Sequence, residues 1–115
     1  HSRLFNNKHH RENEMKYIFD LDGTLCSQQK SGNYHKAEPY IHRITRVNRL
    51  YSQGHHITIW TARGMGTGRL KALSLWFLTW RQLRLWKVKY NKLKMMKPQY
   101  DLFICDKAVQ DTHFF

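Results

Sequence analysis

The chain has 115 residues and a formal net charge of +12, with 41% hydrophobic residues. That length holds one small domain and leaves little room for a second. No apolar run reaches the roughly 20 residues needed to span a bilayer, and two cysteines are too few for a disulfide framework. A reducing, cytoplasmic setting without a secretory leader or membrane partner is therefore expected.

The basic charge is unevenly placed. From Pro39 to Tyr100 there is no acidic residue, while Lys and Arg recur throughout. Two readings are open: a solvated basic face, or a polyanionic partner such as nucleic acid, a phosphorylated glycan or an acidic membrane surface.

Residues 1–14 are polar and without periodicity, which predicts a disordered extension ahead of a domain covering 15–115. Tyr17, Ile18 and Phe19 then form an apolar run suited to a buried strand. It ends in Asp20 and Asp22, separated by Leu21 and followed by Gly23 and Thr24, residues that let the chain leave strand geometry. Two carboxylates at a strand end repel each other and lose hydration, and a hard cation such as Mg²⁺ relieves both costs.

Cys26 to His35 reads as a polar loop, with a small hairpin flap around residues 31–33. Pro39 suits the first turn of a helix. Ile41, Ile44, Val47, Leu50 and Tyr51 give an apolar stripe at helical spacing, and Gly54 suits a left-handed cap. His56 to Trp60 is β-branched and aromatic, a second strand. A second helix is expected from about Arg69 to Leu85, burying Leu70, Leu73, Phe77, Trp80 and Leu83, with Trp76 and Trp80 in the core rather than stacked on bases. Val88 to Tyr90 is the candidate third strand, and Leu102 to Ile104 a last buried strand ending at Cys105 and Asp106. Strands alternating with helices predict an α/β fold: a Rossmann-like three-layer sandwich around a mainly parallel sheet. Ligands bind such sheets beyond the carboxyl ends of the strands, where the candidate polar residues fall.

Phe19-Asp20-Leu21-Asp22-Gly23-Thr24-Leu25 resembles the first motif of the haloacid dehalogenase (HAD) superfamily, mostly phosphatases that work through an aspartyl-phosphate. The resemblance extends from Met15 to about Gln110. Trp60-Thr-Ala-Arg-Gly64 and Lys97-Pro-Gln-Tyr-Asp-Leu-Phe-Ile-Cys-Asp-Lys-Ala108 look like small capless members, some of which accompany capsular-polysaccharide genes. The gap between Gly23 and Glu38 is too short for a cap domain.

The resemblance implies Asp20 as nucleophile and Asp22 as general acid, then base. It implies Lys97 as the lysine that offsets negative charge, with Lys94 as its fallback. Thr61, with Ala62 and Arg63 beside it, would contact the phosphoryl group. Asp20, Asp22 (through its main-chain carbonyl) and Asp106 would hold Mg²⁺. Cys105 stands where the family usually has a further acid, and a thiol is a poor ligand for magnesium; Asp111 is a candidate helper.

The expected function is a Mg²⁺-dependent phosphomonoester hydrolase acting on a phosphorylated small molecule or glycan, with a homo-oligomer compatible with an open, capless site. Two alternatives stand beside it: a catalytically weak member of the fold that binds a polyanion, and a phosphatase acting on nucleic-acid 3′ ends.

Overall fold

Tyr17 and its neighbours do extend into a strand, β1, at Lys16–Phe19. The computed structural model describes residues 14–29, 33–95 and 107–115. β1 lies parallel to β2, His56–Trp60, in a register that pairs Lys16 with His56 and Phe19 with Ile59. On the other side of β2 runs β3, Lys92–Lys94, also parallel, so the described sheet has the order β1-β2-β3. Parallel neighbours need crossovers, and helices supply them. α1, Ile41–Ser52, connects β1 to β2, and α2, Arg69–Leu85, connects β2 to β3. The described part is thus an α/β unit of the Rossmann-like kind.

β2 is the middle strand, and its composition shows it: Ile57, Thr58 and Ile59 are all buried, covering both faces. The core continues through Phe19, Leu21 and Leu25 from the first strand and its loop, Ile44 and Val47 from α1, and Leu83 from α2. α1 presents its inner stripe as its periodicity predicts, although Ile41 and Tyr51 at its two ends are exposed. Pro39 lies just outside the helix, paired with Cys26 in an isolated bridge, and Tyr40 takes the N-cap position. Gly54, at φ 94°, closes the helix in the left-handed conformation expected of it.

Two expectations are corrected. The third strand is not at Val88–Tyr90. α2 ends in a Schellman turn: the Val88 N–H donates to the Leu83 carbonyl, the Lys87 N–H donates to that of Arg84, and Lys87 takes a left-handed φ of 58°. Val88 therefore folds back into the core. Asn91 then bonds Ile57 twice, through its amide side chain and its main-chain N–H, and β3 starts one residue later.

The second correction concerns the buried face of α2. Leu83 is buried as expected, but Leu70, Leu73, Phe77 and Trp80 are 83%, 54%, 57% and 38% exposed, and Trp76 is 38% exposed. The face turned inward carries Thr79 and Gln82 instead.

Near the C-terminus, the short helix α3, Asp111–Phe114, brings Phe114 and Phe115 against Phe19, and Phe114 also against Tyr17. Arg43 of α1 holds this segment through a 2.7 Å ion pair with Asp111 and donates to the Thr24 carbonyl at 3.1 Å. The expected strand at 102–104 and the tip of the flap at 31–32 lie outside the described residues.

Candidate active site

The loop after β1 is built around one carbonyl. The main-chain N–H groups of Thr24, Leu25 and Cys26 all donate to the Leu21 oxygen, and Gly23 turns at φ 85° between them. A Cβ on Gly23 would be strained at that φ and would meet the Gln28 side chain at 2.9 Å. The Leu21 side chain between Asp20 and Asp22 is fully buried, while both acids stay partly open. Asp20 accepts from the Leu21 N–H at 2.9 Å.

Thr61 follows β2 directly, so the parallel register sets it beside the end of β1. It is buried; its N–H donates to the Lys94 carbonyl at 2.9 Å, and its hydroxyl oxygen accepts from the Arg63 N–H at 3.2 Å. Ala62 is half-buried beside it. Asp20, Asp22, Thr61, Ala62 and Arg63 thus gather at the carboxyl ends of β1 and β2. Lys97 and Asp106, with Asp101 and Cys105, lie outside the described residues.

Arg63 differs from its expected role. Rather than facing a substrate, its side chain is fully buried and is bonded on every side. Its Nε and Nη2 grip both oxygens of Asp22, at 2.9 and 2.7 Å. Its Nη1 donates to the Thr79 hydroxyl at 3.1 Å and to the Gln82 carbonyl oxygen. The Tyr34 ring covers the guanidinium at 4.6 Å, and the Gln82 amide donates to the Tyr34 carbonyl at 2.6 Å. A guanidinium buried this deeply is tolerated because its charge is paired and its donors are used.

Cys26 completes the cluster. Its thiol donates to Asp22 at 3.5 Å and receives a long contact from Arg63 at 3.9 Å. Burial above all, then the Asp22 charge, pushes it up to about 12, so it is a protonated, inert thiol at neutral pH. Asp22 therefore faces three donors, two from Arg63 and one from Cys26.

Thr79, Gln82 and Tyr34 are members of this cluster that sequence reasoning missed. One signal was present: Thr79 and Gln82 are three apart on a helix that is otherwise largely apolar, and so share a face. Lys94, the fallback lysine, sets its ammonium 4.8 Å over the Trp60 ring. Among the described residues there is no cluster of three or more His, Cys, Asp or Glu that could hold a metal, and no helix is long and apolar enough to cross a membrane.

No family model matches the chain, and no curated protein matches it. A solved structure does. The crystal structure of an MCSG target from Vibrio cholerae is similar with a TM-score of 0.74 and 30% sequence identity, over 87% of this chain and 86% of that one. Its description carries no activity.

Proposed function

This chain belongs to one family with the Vibrio cholerae protein, and from the motifs of its own sequence we propose that it is a capless phosphatase of the haloacid dehalogenase type, hydrolysing phosphomonoesters through Asp20. The observation that carries the reading is the placement of Asp20 and Thr61 at the carboxyl ends of adjacent parallel strands. Open α/β sheets hold their ligands at that edge.

Phosphate monoesters resist hydrolysis strongly, and a carboxylate nucleophile divides the barrier into two lower ones. Asp20 attacks phosphorus, and the bond to the ester oxygen breaks, leaving an aspartyl-phosphate and an alcohol that takes up one proton. Water then attacks the phosphorus, gives up a proton, and frees Asp20 and inorganic phosphate. Thr61 holds a phosphoryl oxygen through its hydroxyl hydrogen. By the same resemblance, Asp22 gives the leaving oxygen its proton in the first half-reaction and takes one back from water in the second.

The resemblance assigns Mg²⁺ to Asp20, the Asp22 main-chain carbonyl and Asp106, all oxygen donors of the kind the ion prefers; the first two lie at the described end of β1, and Asp106 lies outside the described residues. When bound, the metal supplies charge neutralisation between nucleophile and phosphate.

The test is phosphate release from an aryl phosphate and from a panel of sugar phosphates and 3′-phosphorylated oligonucleotides. The expected result is turnover that needs Mg²⁺, stops on chelation, and falls on the order of 10³-fold or more in Asp20→Asn. No release from any ester, or equal release by Asp20→Asn, would refute the proposal.

A further inference from the structure

The outward face of α2 is apolar, aromatic and positively charged at once. Leu70, Leu73, Trp76, Phe77 and Trp80 stand exposed along it, and Leu85 at its end is 66% exposed. Arg69, Lys71, Arg81 and Arg84 are exposed on the same helix, and Arg84 lies 5.4 Å over the Trp80 ring. The helix contains no acid. Its inner face is already used, since Thr79 and Gln82 hold Arg63 and Leu83 joins the core. An apolar ridge of this extent is costly in water unless something covers it.

Charge decides what that cover is. A second copy of this chain would bring the same four cations against themselves, with no acid between Pro39 and Tyr100 to pair them. Nucleic acid would stack on the tryptophans but would offer Leu70, Leu73 and Leu85 no apolar phase. An anionic bilayer offers both an apolar phase and negative charge. It also accepts a convex ridge, roughly 25 Å long for this helix, without a matching groove. Two tryptophans beside long arginine stems are suited to the headgroup boundary, where ring and guanidinium each have an apolar body and a polar tip.

We propose that the outward face of α2 is a peripheral docking surface for anionic lipid, with the helix lying in the plane of the interface. Leu73 and Phe77 enter the acyl boundary, and the four cations rest among the headgroups. This goes beyond the phosphatase reading and stands without it, because the face is opposite the one that holds Arg63.

The test is co-sedimentation of the full chain with vesicles of equimolar phosphatidylcholine and phosphatidylglycerol, against vesicles of phosphatidylcholine alone. The expected result is partition to the anionic vesicles only, weakening as salt rises, with a blue shift in tryptophan emission. The double variant Leu73→Glu and Phe77→Glu, both exposed and so compatible with folding, should lower the partition about a hundredfold with an unchanged far-ultraviolet dichroism spectrum. Absent binding, equal binding to neutral vesicles, or equal binding by the double variant overturns the proposal. So does a dimer in sedimentation velocity that Phe77→Glu dissolves, which would assign the face to a second copy. Binding to poly-glutamate without vesicle binding, lost in the double variant, would assign it to an acidic protein and likewise overturn it.

Discussion

The two crossover helices of this protein obey opposite rules. α1 keeps Ile44 and Val47 inside and sets most of its charges outside, so its inner face is its apolar face. α2 turns Thr79 and Gln82 inward with Leu83, and leaves leucines, tryptophans and a phenylalanine in the open. The difference comes from what each helix packs against. α1 lies on the sheet, where Ile57 and Ile59 ask only for apolar area. α2 faces a buried guanidinium, which must have oxygens around it whatever apolar area is lost. A helix's inner face is apolar only when the surface beneath it is.

The most severe test of this contrast is removal of the guanidinium. Arg63→Ala leaves Asp22, Thr79 and Gln82 facing a void, and should cost about 3–5 kcal/mol, as for other broken buried pairs. For a domain of this size the melting temperature should fall by roughly 15 °C or more, measured by thermal dichroism. A fall of only a degree or two would mean that the polar inner face of α2 is incidental.

Next in size is a paired truncation. Ile44→Ala, in the inner stripe of α1, should cost about 2–4 kcal/mol from lost burial and the cavity left behind. Leu70→Ala, on the outer face of α2, should stay within about 0.5 kcal/mol. Urea titrations of the two variants give the ratio directly. Equal losses would show that Leu70 is buried in the folded monomer.

The smallest effect concerns the ion pair that ties α1 to α3. Chiefly through its hydrogen bond, the Arg43 guanidinium holds Asp111 below the ordinary carboxylate range. The folded value lies below the unfolded one, so the pair's contribution is present above the unfolded value and fades as pH falls through the folded one. Both partners are partly open to solvent, which limits the gain to about 0.5 kcal/mol. Asp111→Asn should be that much less stable at neutral pH and match the wild type in strong acid. A gap that persists in acid would trace the loss to the carboxamide's packing instead.

Much of the framework was legible from residue order. An apolar run closed by Asp20-Leu21-Asp22-Gly23 read as a strand leading into a turn, and His56 to Trp60 read as a second strand, because local apolar runs, β-branching and glycine act within a few residues. The inner stripe of α1 was legible for the same reason, since its other faces are polar. The outer and inner faces of α2 were not, because its apolar residues fall on several sides among scattered cations, and periodicity then assigns no single inner stripe. Arg63 was placed at the correct strand end from the order of residues, but its partners were not foreseeable there. Thr79, Gln82 and Tyr34 stand 16, 19 and 29 positions away from it. What joins them is the desolvation of one charge, a cost that exists only once the chain has closed around it. Periodicity and turn chemistry are local and survive in the linear chain, whereas the environment of a buried ion belongs to the folded molecule alone.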